Sequence, residues 1–242
     1  MGLENIPERL QNPVRLFVRL LVYVWTTCNE SVLRIQTEPP FGSPPLDPAQ
    51  PWKGEATIDA KHSDNHRYGT IGYRHIRRIL QVLDPGPEDV FYDIGCGMGR
   101  VLCVAAQRPL RQCVGIELME TLCQAAQRNA ASLRGRKAPI RLRCEDAARA
   151  DLADGTIYFM FNPFGPETLR DTLERIRGSL QRNPRAVKIV YYSAKHRSVV
   201  ERMEWLNKVR HFESFGGHPV TIWENRDWRD AAELHPEIER SA

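Results

Sequence analysis

The chain of 242 residues lacks most of the signatures that mark membrane-spanning, secreted and metal-binding proteins. The apolar run Leu20–Trp25 is preceded by Arg15 and Arg19 and falls far short of the about 20 residues that span a bilayer. No cleavable secretory leader is read there. None of the six cysteines (Cys28, Cys96, Cys103, Cys113, Cys123 and Cys144) forms a Cys-x-x-Cys pair. Five lie in segments that read as buried helix or strand, so they are expected to be free thiols in a reducing compartment, and the chain is read as cytoplasmic. His62 and His66 stand four apart, with His75 further on, but no His-Glu-x-x-His or Cys/His cluster accompanies them, and no metal is expected. A Gly-x-Ser-x-Gly elbow, a P-loop and internal repeats are also missing, which removes local support for hydrolase and nucleotide-kinase chemistry. Residues 61–150 carry 15 basic against 9 acidic groups. That excess could favour an anionic ligand but is too small to imply nucleic acid by itself.

What is present divides the chain into five stretches. Residues 1–36 hold an amphipathic helix that opens at Asn12-Pro13, an Asn cap followed by Pro at the first helical position. Its polar positions Arg15, Arg19, Thr26, Glu30 and Arg34 fall near one face. Such a helix packs on the rest of the protein or a partner, or lies in a membrane interface with Trp25 as anchor, so residues 13–35 are a candidate for peripheral membrane or protein contact. Residues 37–52 contain six prolines and read as an extended linker. Residues 53–72 read as a loop or lid, residues 73–225 as an α/β domain, and residues 226–242 as a polar tail.

Within the domain, Tyr73, Ile76, Ile79, Leu80 and Leu83 recur at helical spacing until Asp84-Pro85-Gly86-Pro87. Strands are then expected at 90–94, 112–117, 140–144, 156–161 and 187–192, with helices at 100–107, 120–133, 166–180 and 197–206 between them. Such alternation predicts a mostly parallel sheet with helices on both faces. Runs at 209–214 and 219–224 leave no room for a crossover helix and must form an antiparallel hairpin. The fold class is thus α/β, a Rossmann-like, doubly wound, seven-stranded sheet, mostly parallel, with a C-terminal antiparallel hairpin.

Ligands in such sheets bind beyond the carboxyl ends of the strands. The first strand ends in Asp93-Ile94-Gly95-Cys96-Gly97-Met98-Gly99-Arg100, whose alternate glycines permit a tight turn against a ligand. A dinucleotide turn reads Gly-x-Gly-x-x-Gly. Here the third glycine comes one place early, Arg100 stands where Gly or Ala is wanted, and Asp93 suits an ammonium better than a pyrophosphate. Glu117, ending the second strand, can accept from both ribose hydroxyls of any adenosine cofactor. Asp146 is placed to accept from an adenine amine, with the Ala147 N–H near a ring nitrogen; the alternative for Asp146 is a helix cap. The fourth strand ends in Phe161-Asn162-Pro163-Phe164-Gly165. There the Asn162 amide oxygen or a carbonyl near Pro163 can accept from a nucleophilic amine, and Phe164 can cover a flat or cationic group or, alternatively, lie in the core.

Together these residues resemble the class I S-adenosylmethionine (SAM) dependent methyltransferases over about residues 68–225. Asp93–Gly99 matches the family's first motif, Glu117 the acidic end of its second strand, Asp146 its adenine contact and Phe161–Phe164 its fourth motif. The last is similar to the Asn-Pro-Pro-[Tyr/Phe] of amino-group methyltransferases, with one proline instead of two, and to the Asn-Asn-Phe of the non-SET histone-lysine methyltransferases. The resemblance implies SAM as cofactor, held by Asp93, Gly95, Cys96, Gly97, Gly99, Glu117, Leu118, Asp146, Ala147 and Asn162, with Tyr68 and Thr70 closing over it. It further implies methyl transfer to a nitrogen of a protein, nucleic acid or small molecule, with Asn162, Pro163 and Phe164 on the reacting side. Tyr68, His66 and Asp64 are candidates for the lid or for proton removal. A nicotinamide oxidoreductase and a non-catalytic SAM-binding scaffold are the competing readings.

Overall fold

The computed structural model describes residues 13–37 and 69–225. The expected linker, most of the expected lid segment and the polar tail fall outside the described residues. So do Asp64, His66 and Tyr68.

Among the described residues, the helices and strands in order are α1 (Pro13–Leu33), α2 (Tyr73–Leu83), β1 (Val90–Ile94), α3 (Arg100–Ala105), β2 (Gln112–Glu117), α4 (Glu120–Ser132), β3 (Ile140–Cys144), β4 (Ile157–Met160), α5 (Pro166–Arg182), β5 (Lys188–Tyr192), α6 (Arg197–Glu201), β6 (Leu206–Ser214) and β7 (His218–Asn225). The seven strands form one sheet in the order β3-β2-β1-β4-β5-β7-β6. β1 to β5 run parallel, and β7 is antiparallel to both β5 and β6. The order reverses between β1 and β4, which opens a crevice at their carboxyl ends.

The central strands β1 and β4 are buried at every position because both faces are covered. On one face Phe91, Phe159, Val190 and Val220 pack with the buried stripe of α2 (Ile76, Ile79, Leu80, Leu83) and with α3. On the other, Tyr92, Ile94, Tyr158, Met160, Ile189 and Trp223 pack with Leu169, Leu173 and Ile176 of α5 and Val199 and Val200 of α6. The expected hairpin is present, joined by the turn Phe215–Gly217, but its second strand, not its first, lies beside β5.

The largest boundary difference from expectation is at α6. The helix expected to reach Leu206 ends at Glu201, because Met203 N donates to Val200 O and Leu206 N to Met203 O, tight turns that lead the chain into β6. β6 is the sheet edge, and it carries Lys208, Arg210 and Glu213 with a register shift at Lys208/Arg210, devices that discourage edge-to-edge pairing. The cysteines also need correction. Cys96, Cys103 and Cys113 are free and buried as expected, but Cys28 is exposed and Cys123 of α4 is disulfide-bonded to Cys144 at the end of β3. α4 packs directly on β3, and this brings together two cysteines 21 residues apart in sequence.

Candidate functional site

The site is built on the turn that leaves β1. Gly95 (φ 73°), Gly97 (φ 55°) and Gly99 (φ 80°) all take left-handed backbone. The turn is tied to β2, since the N–H groups of Gly95 and Cys96 both donate to Ile116 O. Gly95 is also a point of close approach. A Cβ there would lie 2.3 Å from Pro163 Cβ, so the β1 turn and the β4 turn are in direct contact. Pro163 thus meets the β1 turn at Gly95, and Glu117 meets it at Gly97, so residues read separately from the sequence gather at the carboxyl ends of β1, β2 and β4.

Two buried carboxylates lie at this turn. Both oxygens of Glu117 accept backbone N–H groups, Oε2 from Gly97 at 2.8 Å and Oε1 from Met119 at 2.9 Å. The Leu118 N–H approaches the same carboxylate, and a carboxylate's roughly four acceptor sites leave capacity for a ligand hydroxyl. Burial raises the Glu117 pKa above the ordinary carboxylate range, and the N–H groups of Met119 and Gly97 pull it back. Asp93 is 3% exposed, and its Oδ2 has no hydrogen-bond partner among the described residues. Burial, and then the neighbouring Glu117, push its pKa up to about 7. An orphaned buried carboxylate oxygen calls for a cationic donor. Cys96 sits beneath the turn with its thiol pushed well up, chiefly by burial, so it is no nucleophile near neutrality.

Beyond β3, Asp146 Oδ1 accepts from Ala148 N–H at 2.9 Å, and the Asp146 carbonyl accepts from Arg149 and Ala150. Asp146 thus caps the turn that follows, the alternative its sequence context left open. Ala147 is buried and Leu118 half-buried beside it, and Glu145 N donates to Glu117 O, tying the ends of β2 and β3 together. Thr70 is half-buried just ahead of α2.

On the β4 side, Asn162 stands at φ 46° and its amide bridges to the loop after β5. Nδ2 donates to Ser193 O and Oδ1 accepts from Lys195 N, each at 2.9 Å. Phe164 does not cover the crevice. It is 4% exposed within the core that backs α5, the alternative position that its sequence allowed. The ring that does stand at the strand ends is Phe161, half-buried, edge-on to Tyr192 at 5.0 Å. Tyr192 in turn stacks on His218 at 5.6 Å, and His75 of α2 meets both edge-on. His75 Nδ1 lies 2.9 Å from Ser214 Oγ. Burial, then His218 and Arg74, lower the His75 pKa, so its imidazole is neutral near pH 7.

Phe161 belongs to the motif read from the sequence, but its partners His75, Tyr192 and His218 were missed because they come from α2, β5 and the hairpin and share no local motif. It also missed two fasteners. Asn129 of α4 donates to Met98 O of the β1 turn at 2.9 Å and exchanges hydrogen bonds with the backbone of Gln36. Arg100 is 3% exposed; its Nε donates to Thr37 Oγ1 at 2.6 Å and its guanidinium pairs with Glu30 at 3.4 Å. The arginine that occupies a glycine's place in the dinucleotide pattern therefore anchors the end of α1.

The family model described as histone methylation protein DOT1 matches residues 59–141. The chain is 31% identical over 121 residues to a histone-lysine N-methyltransferase, H3 lysine-79 specific, of Drosophila melanogaster, a match covering 45% of this chain and 6% of that protein. It is 27% identical over 89 residues to a protein-lysine N-methyltransferase of Saccharolobus islandicus, covering 36% of this chain and 53% of that protein. The chain therefore spans only part of the curated relatives it matches. Among solved structures, an RNA methyltransferase from Salinibacter ruber in complex with S-adenosyl-L-homocysteine superposes with TM-score 0.50 and 24% identity, covering 65% of this chain and 94% of that one. That likeness establishes the fold.

Proposed function

We propose that this chain, a class I SAM-dependent methyltransferase by its fold and first motif, transfers a methyl group to an amine nitrogen, with a protein lysine as the acceptor. The observation that carries the reading is Asp93, a buried carboxylate with an orphaned oxygen beside the glycine turn, next to Glu117. The pair fits a ligand with an ammonium at one end and a ribose further along. A dinucleotide's pyrophosphate would instead meet the Asp93 carboxylate, like charge against like.

When bound, SAM supplies a methyl carbon on a sulfonium, a leaving group good enough for in-line displacement without acid assistance. The protein's part is alignment and desolvation. Asp93 would hold the ammonium and Glu117 the ribose, with the backbone at Gly95, Gly97 and Gly99 close against the methionine part and Cys96, Leu118, Asp146 and Ala147 toward the adenosine. Thr70 would lie near it. Asn162 and Pro163 border the acceptor side, where Asn162 keeps the β4 turn and the loop after β5 in register.

The names of the fly and archaeal relatives support lysine as the acceptor. So do the half-buried rings of Phe161 and neutral His75, backed by the buried Tyr192, which offer apolar surface to an aliphatic chain and its amine. An attacking amine must be unprotonated, and the low-charge wall favours that form.

The test is incubation of the full chain with tritiated SAM and a lysine-rich polypeptide, followed by amino-acid analysis for methyl-lysine. Asn162→Ala is expected to keep S-adenosylhomocysteine (SAH) binding and to lose transfer by roughly tenfold to a hundredfold, the effect of misplacing reacting groups by about an ångström. Label on RNA or small molecules alone would overturn the lysine assignment. No SAH binding would overturn the whole reading.

A further inference from the structure

α1 inverts the usual logic of a helix on a globular protein. A docked helix turns its apolar stripe inward and its polar face to water. In α1 the described residues that are buried are Thr26, Glu30 and Leu33, followed by Ile35 and Thr37 in the tail. Thr26 and Glu30 belong to the polar stripe that also holds Arg15 and Arg19 by spacing. Phe17, Leu20, Leu21, Val24, Trp25 and Val32 form the opposite arc and are all 46–68% exposed. They are most of the large exposed hydrophobics among the described residues, gathered on one helix of about 31 Å.

The attachment of this helix is specific. Glu30 pairs with Arg100, Asn29 Oδ1 accepts from Arg77 at 2.8 Å, and Leu33 O accepts from Arg134 N at 2.9 Å. The outward-facing arc is therefore held in place by the body. The foot of the helix is ringed by cations, since Arg34, Arg77 and Arg134 are exposed around it. α1 has no acidic residue before Glu30, and Glu30 itself is buried against Arg100.

We infer that α1 docks the protein on an anionic lipid surface, with its outward arc in the acyl–headgroup boundary and Arg34, Arg77 and Arg134 against the headgroups. The charge decides between occupants. An isologous pair of copies through this face would bring arginine to arginine, whereas an anionic bilayer offers both an apolar layer and negative charge. No helix among the described residues is long and apolar enough to cross a membrane, so the helix lies in the interface plane. The inference stands without the proposed methyl transfer. The two meet in space, because Thr37 and Gln36 at the end of α1 are held by Arg100 and by Asn129, which also holds the cofactor turn.

The test is co-sedimentation of the full chain with phosphatidylcholine vesicles with and without one-quarter phosphatidylglycerol. The chain is expected to pellet with the anionic vesicles and to be released by high salt. Leu21→Glu with Trp25→Glu, both exposed positions, should abolish pelleting while the melting temperature is kept. Arg77→Gln and Arg134→Gln should each weaken binding about fivefold, the effect of one cation near an anionic surface. Equal pelleting of the Leu21/Trp25 variant would overturn the inference. So would failure of the native chain to pellet, whether it sediments as a monomer or as a dimer that the same two substitutions break.

Discussion

At Asp93, burial and Glu117 lift the carboxyl pKa to about 7, so without a counter-charge the group is half-protonated near neutrality. Its folded pKa lies above the ordinary 3.8, so the native state holds this proton more tightly than the unfolded chain does. The group therefore lowers stability progressively as pH rises from about 4 to about 7. A bound ammonium reverses this by favouring the carboxylate. SAH affinity is accordingly expected to fall about tenfold between pH 8 and pH 6, because the ligand must displace a proton. Asp93→Asn should bind roughly tenfold to a hundredfold more weakly at pH 8, the loss of a hydrogen bond to a charged group, and should show no such slope. Calorimetric titration of both proteins across that range checks it, and a native slope equal to the variant's would remove Asp93 from the site. Asp93 and Glu117 were legible in the sequence because each ends a strand in a recognisable run. The unpaired state of Asp93 was not, since it depends on what the neighbouring strands leave uncovered.

Elements interact here through joints that sequence spacing does not show. Asn162 was read as a partner for the nucleophile, and its side chain clamps the loop after β5. Phe164 lies in the core, while Phe161, one side of the strand end away, reaches the aromatic wall. Both rings lie past the end of β4, on either side of the left-handed Asn162, so the choice between them rests on that turn. The α4–β3 joint gives a separate check. Closing a loop of this length stabilises a fold by about 3 kcal/mol. In denaturant without reductant, thiol titration should find the four free cysteines Cys28, Cys96, Cys103 and Cys113, and all six only after reduction. Six reactive thiols at the outset would mean that α4 and β3 are held by packing alone.

For the whole molecule, the order of the strands is what makes the crevice, because the chain leaves β1 on one side and returns at β4 on the other. A ligand bound there contacts the ends of β1, β2 and β4 together and should stabilise the domain as a unit. At a hundredfold excess over its dissociation constant a ligand contributes about 2.7 kcal/mol. SAH should therefore raise the melting temperature by several degrees while NADH leaves it unchanged, a comparison that a single thermal-shift experiment makes. A shift with NADH alone would return the oxidoreductase reading.

The sequence by itself determined the alternation of strands and helices, the apolar stripe of α2, the glycine turn after β1, the acidic end of β2 and the antiparallel close. Each of these is written in neighbouring residues, through periodicity, backbone freedom or the lack of room for a crossover. Only the tertiary structure decided that β7 inserts between β5 and β6, that Cys123 meets Cys144, that Arg100 anchors α1, and that the apolar arc of α1 faces outward. The disulfide joins residues 21 positions apart and Arg100 meets Glu30 across 70, and the energies of such contacts depend on which surfaces the folded sheet brings together.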